Sequence, residues 1–169
     1  MWPFKRRRER DKLRAMFRGY VADELIDELI NHPRPLRLDL QPASMSFILL
    51  QVRDEPVVEA PDRMAKAIDI IQRRNGICDV MSSTVLAIFG FPRREDREKS
   101  SDQRAKSVAR LVTELGPDIR LVYGTADGLV GNYGSLSQVH YGPLLPGFAR
   151  YLSALTALEF GQSAEVPVT

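Results

Sequence analysis

The sequence predicts an α+β fold, a ferredoxin-like βαββαβ sheet with helices on one face, preceded by an amphipathic helix. Two observations lead to this prediction. Short apolar runs alternate with segments of helical period in the order strand, helix, strand, strand, helix, strand, and a further helix follows. The 169 residues, 44% of them apolar, can bury one substantial core but are short for two domains.

The N-terminal helix is predicted from Lys12 to Ile30, and His32-Pro33 ends its pattern. Apolar residues recur there at helical spacing: Leu13, Met16, Phe17, Tyr20, Val21, Leu25, Ile26, Leu29 and Ile30. One side of this helix should therefore be apolar and the other side polar.

The first core strand is predicted at Ser46–Val52 (SFILLQV), a short apolar run with Pro42 before it and Asp54-Glu55-Pro56 after it. Helical period returns from Asp62 to Arg74, and Asn75-Gly76 should close that helix as its C-terminal cap. This helix fits the crossover that a βαβ unit requires.

A hairpin is predicted between Ile77 and Phe91, where two apolar segments flank Ser82 and Ser83. The turn does not have the favoured Asn-Gly chemistry. The charged segment Pro92–Ser101 reads as a loop, and helical period resumes from Asp102 to Leu115.

Two strands are predicted next, Ile119–Tyr123 and Gly128–Gly131, separated by Thr125-Ala126-Asp127. The segment Asn132–Gly147 is rich in glycine and turn residues, and the last helix should run from Phe148 to Phe160.

These patterns divide the chain into three parts: a basic segment at 1–16, a domain at 17–161 and a tail at 162–169. We expect the tail sequence SAEVPVT to be either frayed or a short edge strand. The glycines at 128–134 lack the Lys-Ser/Thr that would follow in a phosphate loop, so we interpret them as turn glycines.

The distribution of charge is uneven. Residues 1–18 carry eight Lys/Arg and two acids, whereas the other 151 residues carry sixteen Lys/Arg and twenty acids. The single cysteine, Cys78, excludes an internal disulfide framework, and we expect it to be a buried small apolar side chain. No apolar run is long enough for a signal peptide or a membrane span, so we expect a cytoplasmic protein.

Three segments resemble the catalytic domain of class III nucleotidyl cyclases. Phe17–Ile30 (FRGYVADELIDELI) is similar to the helix that leads into the bacterial domains, and Leu86–Pro92 (LAIFGFP) resembles their M-A-x-F-G-x-P strand end. Gly124–Gly161 resembles their run G-x-x-x-G-x-V-x-G-N-x-G-S and the helix that follows it. The resemblance covers residues 17–161 and implies the cyclase fold.

The resemblance also implies a chemistry in which two carboxylates hold two metal ions while a ribose 3′-hydroxyl attacks an α-phosphate. Aligning FILLQV with the family's metal-binding strand places Gln51 where the first Asp belongs. Counting back six residues from Phe89 places Ser83 at the second Asp and Ser82 at the glycine before it. Magnesium prefers charged oxygen ligands, so an amide and a hydroxyl are poor replacements.

Other family positions are substituted as well. The base-selecting Lys corresponds to Asp79 or Val80, depending on a one-residue gap, and the base-selecting Asp or Thr corresponds to Pro146. The transition-state Asn and Arg correspond to Ala149 and Ser153, which cannot donate to a triphosphate as those residues do.

The loop after Val52 is too short for the family's phosphate-binding helix, and its acids Asp54 and Glu55 would repel phosphate. Asp54 or Asp79 could replace a missing metal ligand only through a register slip, which reverses side-chain faces or moves the group out of the site. We therefore expect no metal, no cofactor and no cyclase activity.

The resemblance implies a head-to-tail dimer whose arm is retained here, at Gly131, Asn132, Gly134, Ser135 and Tyr141. We therefore expect a homodimer or a heterodimer with another protein. The first hypothesis for function is a pseudoenzyme that serves as an interaction or regulatory module. The alternative is a nucleotide-binding sensor or a divergent cyclase with residual activity.

The basic segment could contact an anionic membrane surface weakly, and its aromatic residues Trp2 and Phe4 favour a membrane over nucleic acid. A solvated helix start without a partner is the simpler alternative. The residues concerned are Lys5, Arg6, Arg7 and Arg8.

Overall fold

The structure is a computed structural model that describes residues 39–90, 101–135 and 138–167. Its strands are β1 (Asp39–Val52), β2 (Ile77–Met81), β3 (Thr84–Phe89), β4 (Ile119–Ser135), β5 (Gln138–Leu144) and β6 (Ser163–Val166). Its helices are α1 (Ala60–Gln72), α2 (Ser101–Thr113) and α3 (Phe148–Thr156). The predicted N-terminal helix, the basic segment and most of the predicted charged loop lie outside the described residues.

The strands form one sheet in the order β2-β3-β1-β4-β5, and β6 pairs in parallel with β4. All the other pairs are antiparallel. The elements β1, α1, β2, β3, α2 and β4 follow one another along the chain, so the predicted ferredoxin-like βαββαβ order is confirmed.

The two faces of the sheet carry separate cores because successive side chains of a strand point to opposite faces. Ile48, Leu50 and Val52 of β1 pack with buried residues of α1 and α2. Met45, Phe47 and Leu49 face the other way and pack with Tyr151 and Leu155 of α3. The two connecting helices share one face, as predicted, and the appended helix α3 covers the opposite one.

Strand β4 is continuous where two strands were predicted, so the predicted break at Thr125-Ala126-Asp127 is wrong. Strand β1 begins at Asp39 rather than Ser46, and it pairs with β4 without interruption from Asp39↔Asn132 to Val52↔Ile119. The pairing with β1 keeps Thr125-Ala126-Asp127 extended, because cross-strand contacts override the weak turn preference of these residues.

Gly128 illustrates why the interpretation of turn glycines at 128–134 was also wrong. A Cβ atom at Gly128 would lie 2.4 Å from Met45 Cε and 2.6 Å from the Leu144 carbonyl oxygen. The glycine therefore permits close packing within a strand rather than a turn.

The turn-rich segment Asn132–Gly147 contains β5, which pairs with the end of β4. Residues 39–45 of β1, 126–135 of β4 and 138–144 of β5 thus form a three-stranded extension, which we call the arm. At the C-terminus, Ser163–Val166 forms β6 beside Leu121–Gly124, which is the short edge strand that was one of the two expectations for the tail.

Helix α1 ends in the predicted Asn75-Gly76 cap. In this cap the asparagine, and not the glycine, has the positive φ. Asn75 has the positive φ, 59°, and its N–H donates to the Gln72 carbonyl at 3.0 Å. The Gly76 N–H donates to the Ile71 carbonyl at 3.0 Å, which completes a Schellman motif. Gly76 is buried, and a Cβ atom there would lie 2.4 Å from Ile71 Cγ2.

This arrangement predicts opposite tolerances at adjacent positions. Gly76→Ala should lower the free energy of unfolding by about 1–3 kcal/mol, because the added methyl group overpacks the core. Asn75→Gly should leave the free energy of unfolding unchanged within about 0.5 kcal/mol, because glycine adopts positive φ without a Cβ clash. Urea denaturation of the two variants measures both values, and the reverse ranking would contradict this account.

Candidate functional site

Gln51 and Ser83, which the resemblance assigns to the two metal carboxylates, are brought together by the fold. Gln51 lies at the end of β1 and pairs with Thr84 of β3. The Val52 N–H donates to the Ser83 carbonyl at 2.9 Å, which holds the β2–β3 turn against the end of β1. Gln51 Nε2 donates to Ser83 Oγ at 3.5 Å, although the residues are 32 positions apart.

Ser82 comes immediately before Ser83 in the turn between β2 and β3. Ser82 has a φ of 57°, in the left-handed region that favours glycine. The resemblance places a glycine at this position, immediately before the second metal-binding residue. The turn therefore keeps a glycine-like conformation with a serine in it.

Arg120 of β4 lies directly opposite Gln51 in the register and occupies the space beside its amide. Its Nε and Nη2 both donate to Gln51 Oε1, at 3.0 and 2.6 Å. Its Nη1 donates to the carbonyls of Thr156 and Leu158, at 3.2 and 2.7 Å. One guanidinium thus joins β1 and β4 to the end of α3 and to the second residue after it, using the planar fork that only arginine offers.

Phe160 extends these contacts to a second arginine. The guanidinium carbon of Arg120 lies 4.7 Å from the centre of the Phe160 ring, and that of Arg53 lies 4.5 Å from it. Both distances are typical of cation–π contacts. Arg53 also pairs with Asp118, Nε to Oδ1, at 3.0 Å.

Asp118 connects the contacts to α1. Its Oδ2 lies 3.1 Å from Arg63 Nη2, and Arg63 also pairs with Glu59 one turn earlier. A continuous set of contacts, which we call the arginine cluster, therefore crosses one end of the sheet. Its members are Ser83, Gln51, Arg120, Phe160, Arg53, Asp118, Arg63 and Glu59.

The arginine cluster carries three guanidinium groups and two carboxylates, and the carboxylates belong to Asp118 and Glu59. Gln51 contributes a neutral amide to the cluster and Ser83 contributes a hydroxyl. Within residues 39–90, 101–135 and 138–167, no three His, Cys, Asp or Glu side chains gather in a way that could hold a metal ion. What the cluster does is hold the strand ends, α1 and the end of α3 together.

The remaining predicted positions lie on α3 and β2. Pro146 is exposed just before α3, and Ala149 and Ser153 are exposed on it, with Ser153 Oγ donating to the Ala149 carbonyl at 2.9 Å. Asp79 and Val80 are adjacent on β2 and therefore face opposite sides of the sheet.

The loop from Arg53 to Glu59 contains no helix, which confirms the prediction that it is too short to form one.

Burial raises the pKa of Cys78 to about 12, so its thiol is protonated at neutral pH and is a poor nucleophile. The backbone places Asn132 of β4 opposite Tyr141 of β5 at the end of the arm. Lys5, Arg6, Arg7 and Arg8 lie outside the described residues.

The sequence analysis missed Arg120, although the sequence contains a signal for it. Arg120 is the one charged residue in the run Ile119–Tyr123, whose neighbours Ile119, Leu121 and Val122 are buried. A charged residue within a buried strand needs a polar partner. That partner, Gln51, is 69 positions away, so pairing register rather than local sequence identifies it.

Solved structures of nucleotidyl cyclases share this fold. A bacterial light-regulated adenylyl cyclase matches with a TM-score of 0.63 and 11% identity over 86% of this chain and 49% of that chain. An adenylyl cyclase from P. aeruginosa matches at 0.55 and 15%, over 75% of this chain and 78% of that chain. A dimeric guanylyl cyclase domain from the aquatic fungus Blastocladiella emersonii matches at 0.57 and 14%, over 75% and 81%.

The chain therefore has the fold of adenylyl and guanylyl cyclase catalytic domains, as the sequence resemblance implied. It spans about half the length of the light-regulated cyclase. No protein-family model and no curated protein sequence matches it. None of the helices in the described ranges is long and apolar enough to cross a membrane.

The geometry predicts that Arg120 contributes far more stability than Arg53, although both contact Phe160. Arg120→Ala should lower the free energy of unfolding by about 2–4 kcal/mol, because it leaves several carbonyl groups without their donor. Arg53→Ala should cost less than about 1 kcal/mol, since that side chain is 46% exposed and its ion pair is screened. Urea denaturation compares the two variants, and equal losses would show that Arg120 has no special role.

Proposed function

We propose that this chain is a catalytically inactive cyclase-like domain that acts as a protein-interaction or regulatory module through dimerisation. The observation that carries the proposal is the contact of Arg120 with Gln51 at 2.6 Å. In a cyclase that position would belong to a carboxylate on a metal ion. Here a cationic side chain of the chain itself lies against a neutral amide.

Electrostatics argue against metal ions at this place. A guanidinium remains charged at every physiological pH, so its repulsion of a divalent cation cannot be relieved by losing a proton. Gln51 and Ser83 supply a neutral amide and a hydroxyl, and the Gln51 carbonyl oxygen already accepts two hydrogen bonds from Arg120. A metal ion would have to displace Arg120 and would also deprive the carbonyls of Thr156 and Leu158 of their donor.

The surroundings offer little to a triphosphate. Four N–H groups of Arg120 donate within the protein, which leaves one free for an incoming phosphate. The loop after Val52 exposes Asp54 and Glu55, which repel phosphate. Ala149 and Ser153 have no charge to stabilise a transition state.

A metal and nucleotide assay with a reversion series tests the inactive site. Incubation with Mn²⁺ and ATP or GTP should neither raise the melting temperature of the chain nor yield a cyclic nucleotide, because a ligand that binds the folded state must stabilise it. The double substitution Gln51→Asp with Ser83→Asp should still bind no Mn²⁺, since the Arg120 guanidinium would pair with the new carboxylate at position 51 and would repel the cation. Adding Arg120→Gln should produce a Mn²⁺-dependent rise.

Each part of that series can fail separately. Cyclic nucleotide formed by the unsubstituted chain would favour the alternative, a divergent cyclase with residual activity. A nucleotide-dependent rise without turnover would favour a nucleotide-binding sensor. A Mn²⁺-dependent rise in the double variant would show that Arg120 is not what excludes the cation.

Two surfaces support a second copy of the chain as the partner. The first is the arm, which carries Gly131, Asn132, Gly134 and Ser135 on β4 and Tyr141 on β5. The second is a strip on the α3 side of β2 and β3, where Met81 is 40% exposed, Ile77 and Leu86 are half-buried, and the exposed Asp79 lies opposite Leu86.

Helix α3 packs mainly on β1 and β4, so Ile77 and Leu86 lie at the margin of its core and Met81 lies beyond it, within the described part of the chain. In a twofold dimer the arm of each copy would reach the strip of the other. The fungal guanylyl cyclase domain that shares the fold is itself dimeric, in an arrangement described as non-canonical.

Adjacent residues of β2 provide a matched test of the dimer. Met81 and Val80 are 40% and 47% exposed and point to opposite faces of the sheet. Met81→Lys should convert a dimer of twice 19.1 kDa to a monomer in light scattering after size exclusion, whereas Val80→Lys should leave the dimer intact. A monomeric unsubstituted chain, or equal effects of the two substitutions, would contradict the proposed interface.

The basic segment adds a weaker candidate contact, with an anionic membrane surface. It is supported by the concentration of eight Lys/Arg within residues 1–18, while the rest of the chain carries an acidic excess. Each such cation near an acidic membrane contributes about 1 kcal/mol, so Lys5, Arg6, Arg7 and Arg8 could supply a modest affinity.

A further inference from the structure

The arm presents an apolar row on the side of the sheet that carries α1 and α2. The unbroken registers place Pro42 opposite Leu129 and Leu129 opposite Leu144, so the three side chains share a face. Leu40 lies two residues before Pro42 and faces the same way. Leu40 is 36% exposed, Pro42 is exposed, and Leu129 and Leu144 are half-buried.

Neither core of the domain reaches this row. Helix α2 begins where the arm begins, with Thr125 Oγ1 donating to Asp102 in its first turn at 3.2 Å. The core beneath α1 and α2 includes β1 from Ile48 and β4 up to Tyr123. Among residues 39–90, 101–135 and 138–167, no helix packs over the four apolar side chains.

Two neighbouring segments of the chain outside the described residues could cover the row. Residues 91–100 join β3 to α2, but Arg93 to Lys99 are seven consecutive charged residues. Burying charged side chains against an apolar face is costly, so this segment is a poor cover for the row. Residues 1–38 lead into β1, and their predicted amphipathic helix, Lys12–Ile30, has an apolar side with no partner assigned.

The predicted N-terminal helix and the β1 part of the arm have similar lengths, and the linker between them is long enough to bring them together. The predicted helix of 19 residues would be about 28 Å long. The β1 part of the arm, residues 39–45, extends for about 24 Å. Residues 31–38 can span up to about 27 Å, so the chain can return the helix to the arm from which it leaves.

We propose that the N-terminal helix, residues 12–30 of this same chain, docks on the arm and covers Leu40, Pro42, Leu129 and Leu144. The short linker keeps the helix at a high effective concentration beside the row, which favours the chain's own helix over that of another copy. The helix stabilises the arm on one face and leaves the end of the arm free.

Limited trypsin digestion of the full chain tests the docking. Trypsin cleaves after Lys12, Arg14 and Arg18, which lie within the helix, and a docked helix is cut only when it opens. Leu40→Glu should raise the cleavage rate at these sites by roughly tenfold, because a charge replaces an apolar contact. Phe17→Glu, on the apolar side of the helix, should have the same effect.

Leu115→Glu is the matched control, since Leu115 is 39% exposed and lies at the opposite end of α2 from the arm. It should leave the cleavage rate unchanged, and melting temperatures well above the digestion temperature in all variants would exclude global unfolding. Rapid cleavage of the unsubstituted chain, or equal rates for Leu40→Glu and Leu115→Glu, would overturn the proposal.

A dilution series separates the chain's own helix from that of a second copy. Protection that is constant with dilution, and that persists in the Met81→Lys variant, supports docking within one chain. Protection that disappears on dilution would overturn it and assign the helix to a neighbouring copy. This result does not depend on whether the domain is catalytically inactive.

Discussion

The hydrogen bonds of Arg120 are the constraint on which this end of the molecule depends. A guanidinium within a strand whose neighbours are buried requires acceptors, and four of its N–H groups find them on Gln51, Thr156 and Leu158. These acceptors belong to β1 and to the end of α3. Arg120 therefore helps to fix the chain after α3, together with the backbone hydrogen bonds that the Gly161 N–H donates to the Ile119 carbonyl and the Leu121 N–H donates to the Gln162 carbonyl.

The arginine cluster also shows how a cyclase-like fold can order these strand ends through its own side chains. In a cyclase, carboxylates and metal ions would bring opposite charges together at the ends of the central strands. Here the amide of Gln51, the ring of Phe160 and the carboxylate of Asp118 surround guanidinium groups. The guanidinium groups and carboxylates of the chain itself hold the strand ends together. The loss of catalysis that we propose therefore leaves this end of the sheet ordered.

Much of the fold could be predicted from the sequence because its signals are local. The apolar run at 84–91 and the helical periods at 62–74 and 102–115 correspond to β3, α1 and α2 within two residues, whereas the run at 46–52 is only the second half of β1. Gln51 and Ser83, which the resemblance assigns to one site, lie within hydrogen-bond distance of each other. The continuity of β4 could not be predicted, since Thr125-Ala126-Asp127 remains extended only because β1 pairs with it.

The sequence by itself determined the order of the elements, the absence of carboxylates at Gln51 and Ser83, and the shortness of the loop after Val52, since these depend on residue type and spacing alone. Tertiary structure alone decided which side chains lie against Gln51 and Ser83. The contact between Arg120 and Gln51 joins residues 69 positions apart, and only the register of β1 with β4 brings them together. Pairing across a sheet is nonlocal, so no pattern within either strand specifies its partner.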